Sequence, residues 1–303
     1  MIPALALESK ESKSQAISPY LELGAYEALW MEPKVSFKAI ADKFRERPEA
    51  IPSDFVSEAT ARKYAICARD LLAKAGVRKF GIRVHGAEEY PMKLRVADHP
   101  VELLYFQGWW DLVETPSVAV VGTRSPTPEG AARTVRLVKQ LVSDKWTIIS
   151  GLARGVDTVA HNTAIECGGW TVAVIGTPLN VHYPRENAEL QNLIAEKYLL
   201  ISQVPVCRYK ETIPTANRFF FPERNITMSA LTEATIIVEA GDTSGTLVQA
   251  RHALKQGKKL FILESNFKNS SLTWPRRLEE QGAIRVREYE DIQRHLVHPP
   301  LQS

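Results

Sequence analysis

The chain has 303 residues, about twice the usual single-domain length, which leaves room for one large domain or two modest ones. Hydrophobic residues make up 45% and charged residues 24%, a globular balance that excludes a wholly disordered or fibrous chain. With 38 Lys+Arg against 35 Asp+Glu the net charge is only +3, which excludes a grip on nucleic acid by bulk charge but leaves room for a focused basic groove.

From about Pro19 to Gly76 the pattern is helical. Phe37, Ile40, Ala41 and Phe44 fall on one helix face, with Ser36 as its cap. Ala61, Tyr64, Ala65, Ala68, Leu71 and Leu72 repeat the pattern, and Gly76 stops that helix. Residues 1–79 therefore read as a small N-terminal helical module and 80–303 as a second domain. The segment Phe80–Val84 reads as a short strand. Trp109 and Trp110 end an apolar, aromatic run and are expected to bury one face of a neighbouring sheet.

From Pro116 the periodicity changes. Strands are expected at Ser117–Val121, Trp146–Ile149, Thr171–Ile175, Leu199–Ile201, Ala234–Val238, Lys259–Leu263 and Ala283–Val286. Between them fall helices at Glu129–Val142, Val156–Glu166, Glu186–Glu196, Arg224–Leu231, Gly245–Gln256 and Thr273–Gln281, with a long loop before Arg224. Near-continuous apolar strands separated by crossover-length helices predict a doubly wound, Rossmann-like α/β fold with a mainly parallel sheet.

Cys67, Cys167 and Cys207 are far apart and odd in number, without a CxxC pair, so a disulfide framework or zinc ribbon is disfavoured. The first fifteen residues lack the basic start and apolar run of a signal peptide, and no run nears the ~18 to 20 apolar residues that span a bilayer. The expectation is a cytoplasmic protein without a metal site.

In doubly wound sheets ligands bind outside the carboxyl ends of the strands. The first strand leads into Gly122-Thr123-Arg124-Ser125, where glycine admits a close ligand and Arg124 offers a donor fork to phosphate. Neither GxGxxG nor the lysine-bearing phosphate loop is present there, so no tightly bound dinucleotide or other cofactor is expected. The second leads into Ser150-Gly151-Leu152-Ala153-Arg154-Gly155-Val156-Asp157, a similar phosphate seat in which Asp157 caps the helix or orients Arg154. His161 lies one turn on, on the same face, with no nucleophile beside it in sequence, and reads as a supporting, hydrogen-bonding residue. Gly176 and Thr177 repeat the small-residue theme after the third strand.

Between Gln203 and Arg224 four basic residues outnumber two acidic ones, and Phe219-Phe220-Phe221 is interleaved with them, as suits a strand of nucleic acid. At least part of that triplet is expected to be core. Ser244, Gly245 and Thr246 form a further anion-friendly helix start. Several such junctions on one sheet edge, two of them bearing arginine, point to a polyphosphate or a nucleic-acid backbone.

These residues resemble the DNA-processing protein A family (DprA, also called Smf). The ordered set is Val120-Val121-Gly122-Thr123-Arg124, Ser150 to His161, Phe221-Pro222-Glu223-Arg224-Asn225, Val238-Glu239-Ala240 and Ser244-Gly245-Thr246-Leu247. Upstream support comes from Glu89-Tyr90-Pro91-Met92-Lys93-Leu94 and from residues 100–108. The resemblance implies an extended Rossmann fold, binding of single-stranded DNA, a homodimer, and loading of the recombinase RecA on incoming DNA during natural transformation. It also implies that Arg124 and Arg154 contact phosphate, that Ser150, Gly151, Gly176 and Thr177 line the same pocket, and that Arg224 and Asn225 lie near its rim.

The chain departs from the family pattern at Ile226, where a second arginine is usual, at Glu264-Ser265 in place of Pro-Gly, and at Gln203 in place of glutamate. The 303 residues leave no room for the C-terminal winged-helix domain of many members. A divergent member is expected. Two other readings use the same pocket: a nucleotide-binding sensor, and a phosphoribohydrolase-like enzyme of the related fold. In the latter the catalytic glutamate position holds Gln249, whose amide cannot shuttle a proton near neutral pH, so no enzymatic activity is expected.

Overall fold

The computed structural model describes residues 17–87, 89–95 and 100–297; the N-terminal stretch examined for a signal peptide lies outside them. Nine strands form one sheet: β1 (Gly81–Val84), β2 (Leu103–Gly108), β3 (Ser117–Val121), β4 (Thr147–Ser150), β5 (Thr171–Ile175), β6 (Leu199–Ser202), β7 (Ala234–Ile237), β8 (Lys259–Leu263) and β9 (Ile284–Val286). Their order across the sheet is β1-β2-β6-β5-β4-β3-β7-β8-β9. Strands β3 to β9 are parallel, and β1 and β2 form an antiparallel pair against β6.

Strand β3 shows why the central strands read as unbroken apolar runs. Val118 and Val120 face one core with Leu137, Val138, Ile148, Val156 and Ile236, while Ala119 and Val121 face the other with Ile149, Val174 and Ile237. Alternate residues point to opposite faces, and helices cover both, so every position must be apolar. The winding runs outward from β3 through β4 and β5 to β6, then returns to place β7 on the other side of β3. The carboxyl ends of β3 and β7 are thus the topological switch point of the sheet, where an open α/β fold leaves a crevice.

After a first helix, α1 (Pro19–Leu29), to which the sequence pattern assigns no face, the helices α2 (Phe37–Glu46) and α3 (Glu58–Lys74) form as their patterning predicts. Ser36 Oγ accepts from Ala39 N at 3.1 Å, and Gly76, at φ +86, terminates α3. Gly24 lets α1 and α3 close on each other, since a Cβ there would stand 1.8 Å from the Ala61 carbonyl oxygen. The core continues across residue 80: Trp30 packs on Phe37 and Phe220. The fully buried Glu27 accepts from Tyr105 Oη (2.7 Å), Val206 N (2.8 Å) and Cys207 N (2.9 Å). Burial raises the Glu27 pKa from its ordinary value, and those donors oppose the rise.

Three expectations need correction. The segment after β6 is not one long loop: it contains the helix Val206–Glu211 and a 3-10 turn, and the next helix starts at Phe220 rather than near Arg224. Residues 103–108, read only as an apolar run, are a strand of the sheet. Trp109 is 48% exposed because it follows Gly108 (φ +94), where the chain turns off the sheet edge, whereas Trp110 packs on Phe106 as expected.

Candidate functional site

A cavity of about 470 Å³ opens at the switch point, lined by the segments that follow β3 and β7 and by the helix Phe220–Leu231. Backbone bonds lace the two segments together: Thr123 N donates to Glu239 O at 2.7 Å, and Thr246 Oγ1 donates to Gly122 O at 3.3 Å. Only glycine fits at 122, because a Cβ would lie 2.6 Å from Val156 Cγ2 and 2.8 Å from the Glu239 carbonyl. Thr127 caps the helix Pro128–Ser143, and its N and Oγ1 donate to the Glu239 carboxylate at 3.0 and 2.8 Å. Arg133 Nη2 completes that carboxylate's shell at 3.1 Å. Glu239 therefore fixes the segment that carries Arg124.

Two buried charged residues, Arg224 and Asp157, form the floor of the cavity, each held by backbone groups. Arg224 Nη1 donates to the carbonyls of Gly151 and Val174, both at 2.5 Å, and Nε donates to Asn225 Oδ1 at 2.9 Å. Asp157 accepts from Gly151 N (3.2 Å) and Ala153 N (3.3 Å), so it holds the turn between β4 and its helix. Burial raises the Asp157 carboxyl to about 6 against the pull of Arg224. Burial likewise lowers Arg224 to about 10, which still leaves it charged at neutral pH. His161 is fully buried, its Nδ1 is 2.7 Å from Thr171 Oγ1, and burial and the Arg224 charge lower it to about 3. It is a neutral packing residue, as a supporting role requires.

Above this floor stand groups suited to an anion. Arg124 is exposed and lines the cavity. Across from it, Ser244 and Gly245 lead into the ten-residue helix Thr246–Lys255, whose dipole favours negative charge, while its first three N–H groups bond Ser244 and Gly245. Asn225 Nδ2 ties that helix start to the floor by donating to Gly245 O at 3.2 Å. Among the described residues lining the cavity the only carboxylate is Asp157, which is held by two backbone N–H groups.

Of the residues singled out by sequence, the structure brings Gly122, Thr123, Arg124, Asp157, Arg224, Asn225, Ser244, Gly245 and Thr246 to this one cavity. Ser150, Gly151, Gly176 and Thr177 support it from behind. Ser150 Oγ donates to Val120 O (2.7 Å), Thr177 Oγ1 donates to Val181 O (3.0 Å), and Phe221 covers Gly176. Arg154 is exposed outside the lining and ion-paired with Glu186, so Asp157 faces Arg224 instead of orienting Arg154. Arg224, expected at the rim, is buried at the floor with 6% exposure. The phenylalanine triplet divides: Phe220 is core, Phe221 lies 5.3 Å from the exposed Tyr183 ring, and Phe219 is 39% exposed.

Glu239 and its bonds to Thr127 were not legible as an organising element, because their partners come from the two sides of the switch point. Gln249 also lines the cavity, but it is buried and its Nε2 donates to Thr235 Oγ1 at 3.3 Å. No helix among the described residues is long and apolar enough to cross a membrane.

The family model of DNA recombination-mediator protein A matches residues 81–297. The chain belongs to this family. It is 35% identical over 204 residues to the DNA processing protein DprA of Streptococcus pneumoniae, covering 67% of this chain and 70% of that protein. It is 33% identical over 207 residues to DprA of Bacillus subtilis, covering 68% of each. The X-ray structure of the Streptococcus pneumoniae protein superposes with a TM-score of 0.73 at 27% identity, over 94% of this chain and all of that one. DNA processing protein A of Helicobacter pylori, whose structure describes a single-stranded DNA binding mode, superposes with a TM-score of 0.61 at 30% identity, over 72% of this chain and 95% of that one. The recombination-mediator fold thus accounts for the mainly parallel sheet.

Proposed function

We propose that the protein binds single-stranded DNA at the switch-point cavity and acts without covalent chemistry in DNA processing and recombination. The observation that carries this is the cavity itself: an exposed arginine and a helix start stand over a floor whose buried charged residues, Arg224 and Asp157, are already held by backbone groups. A phosphate between Arg124 and the start of Thr246–Lys255 gains charge-assisted hydrogen bonds, while Gly122 and Gly245 let the backbone approach it. The arrangement reads phosphate rather than base sequence, as a protein handling arbitrary strands needs. Membership of the family supports cytoplasmic action as a homodimer that hands strands to RecA.

The cavity's volume, about 470 Å³, also lies in the range of small-molecule pockets, so a free nucleotide is the competing occupant. A gel-shift series against salt, with single- and double-stranded oligonucleotides, separates the two. Strand binding predicts affinity that rises with length, falls steeply with salt and is lost in Arg124→Glu with the fold intact. Saturation by mononucleotide without dependence on strand length, or unchanged strand binding by Arg124→Glu, overturns the reading.

A further inference from the structure

A second groove, with a volume of about 970 Å³, lies away from the cavity, between the end of α3 and strands β1 and β2. Leu179 and His182, in the segment after β5, line its upper end; Trp109 lines its lower end, where its N donates to Tyr198 O at 2.7 Å. The groove therefore runs beside the last three residues of β2, Phe106 to Gly108, a span of about 10 Å at ~3.3 Å per residue. Its upper end begins in the same segment that carries Gly176 and Tyr183, next to the covered back of the Arg224 site.

The groove wall that follows α3 carries two cations, Arg78 and Lys79, at the end of a basic stretch of sequence. Residues 58–79 hold six Lys/Arg (Arg62, Lys63, Arg69, Lys74, Arg78 and Lys79) against Glu58 and Asp70, a net +4 that exceeds the +3 of the whole chain. Arg78 and Lys79 line the groove and are exposed. A neighbouring hollow of about 580 Å³ shares Val77, Arg78 and Phe80 with it and adds Arg69, Asp70 and the 55% exposed Ile66. Beside these cations stand ring faces, the 48% exposed Trp109 and the half-buried Phe80; the one acid on the groove wall is Glu196. Trp109 also meets Trp170, itself 44% exposed, at a ring separation of 5.0 Å.

We infer that this groove is a second seat for the same DNA strand, taking the stretch that leaves the switch-point cavity. Arg78 and Lys79 meet its phosphates and Trp109 stacks on a base. Cations beside exposed rings along an open channel suit a single strand, whose bases are free to stack, better than a duplex, whose bases are not. The inference rests on the strand reading of the cavity and extends its footprint across the N-terminal helices, giving the basic stretch from α3 to Lys79 a role.

The test measures binding of oligonucleotides of about 6 and about 30 nucleotides to the full chain across a salt series. In the double variant Arg78→Glu/Lys79→Glu the short strand binds as in the wild type. The long strand weakens by about tenfold, and its salt slope falls by roughly 1.4 for two lost phosphate contacts. Quenching of tryptophan fluorescence by the long strand but not the short one disappears in Trp109→Phe. Unchanged long-strand affinity and slope in the double variant overturn the groove, and they assign the basic stretch to some other acidic partner. Loss of short-strand binding in Arg124→Glu alone keeps the cavity reading, so the two failures are distinct. All four substituted positions are exposed, and circular dichroism confirms that each variant folds.

Discussion

The guanidinium of Arg224 lies directly against Gly151: Nη1 bonds the Gly151 carbonyl at 2.5 Å, and a Cβ at position 151 would fall 2.3 Å from that same nitrogen. One buried cation thus dictates a glycine on a neighbouring strand end. Gly151→Ala is expected to cost about 1–3 kcal/mol through overpacking. Arg224→Met removes the donor to the Gly151 and Val174 carbonyls and a positive charge that favours ionised Asp157, at about 1–3 kcal/mol. Methionine is flexible enough to make room for the new methyl, so the double variant should be more stable than the sum of the single losses implies. Urea unfolding of the four proteins measures this, and simple additivity refutes the contact.

Arg124 and Arg154 have the same chemistry but different company. Arg154 is ion-paired with Glu186, both side chains being about half exposed, so little stability rides on the pair. Arg124→Glu should therefore abolish strand binding, whereas Arg154→Ala should weaken it only a few-fold. Glu186→Gln frees Arg154 and is expected to raise affinity by roughly 2–5-fold, the scale of an exposed pair. Affinity titrations at fixed salt decide this. An unchanged Glu186→Gln would place Arg154 off the strand's path.

The parallel strands from 117 to 263 were legible because burial on both faces forces unbroken apolar runs, which β3 to β8 supply. The glycine-rich junctions were legible for a related reason, since they mark where backbone must pass close to backbone. Strand β2 was not, because an antiparallel strand beside such a sheet shows neither a crossover helix nor clean alternation. The helix Val206–Glu211 was hidden by its shortness and by Pro205 at its cap. Arg224 was placed at the rim because nothing local shows that the carbonyls of Gly151 and Val174, on two other strand ends, would hold it in the interior. The same blindness applied to the overall charge: +3 concealed both the exposed Arg124 at the cavity and the basic stretch from α3 to Lys79.

Glu239 ties the end of β7 to the start of the helix Pro128–Ser143, with its Oε2 2.0 Å from where a Cβ of Gly130 would stand. Glu239→Ala removes an anion from a helix N-terminus and strands Thr127 N, at an expected cost of about 1–2 kcal/mol. Gly130→Ala should act on the same contact by displacing the carboxylate, so the two losses should not add. Chemical denaturation checks both. Full additivity, or a Glu239→Ala protein as stable as wild type, would show that the carboxylate is not holding this helix start.

Asp157 makes both stability and binding depend on pH. Its carboxyl protonates at about 6 in the folded protein and near 3.8 when the chain is unfolded. Between those values the folded state holds the extra proton, so the Asp157 contribution to stability falls as pH rises from about 4 to about 6 and is flat above. Arg224 stays charged and His161 stays neutral throughout that window. Protonating Asp157 therefore leaves Arg224 unbalanced beneath the cavity, and strand affinity should rise as pH is lowered from about 7 to about 5.5. Asp157→Asn, which keeps an oxygen to accept from Gly151 N, should flatten both profiles. Urea unfolding and strand binding at constant ionic strength, each run as a pH series, measure them. The same slopes in wild type and Asp157→Asn would assign the titration to another group.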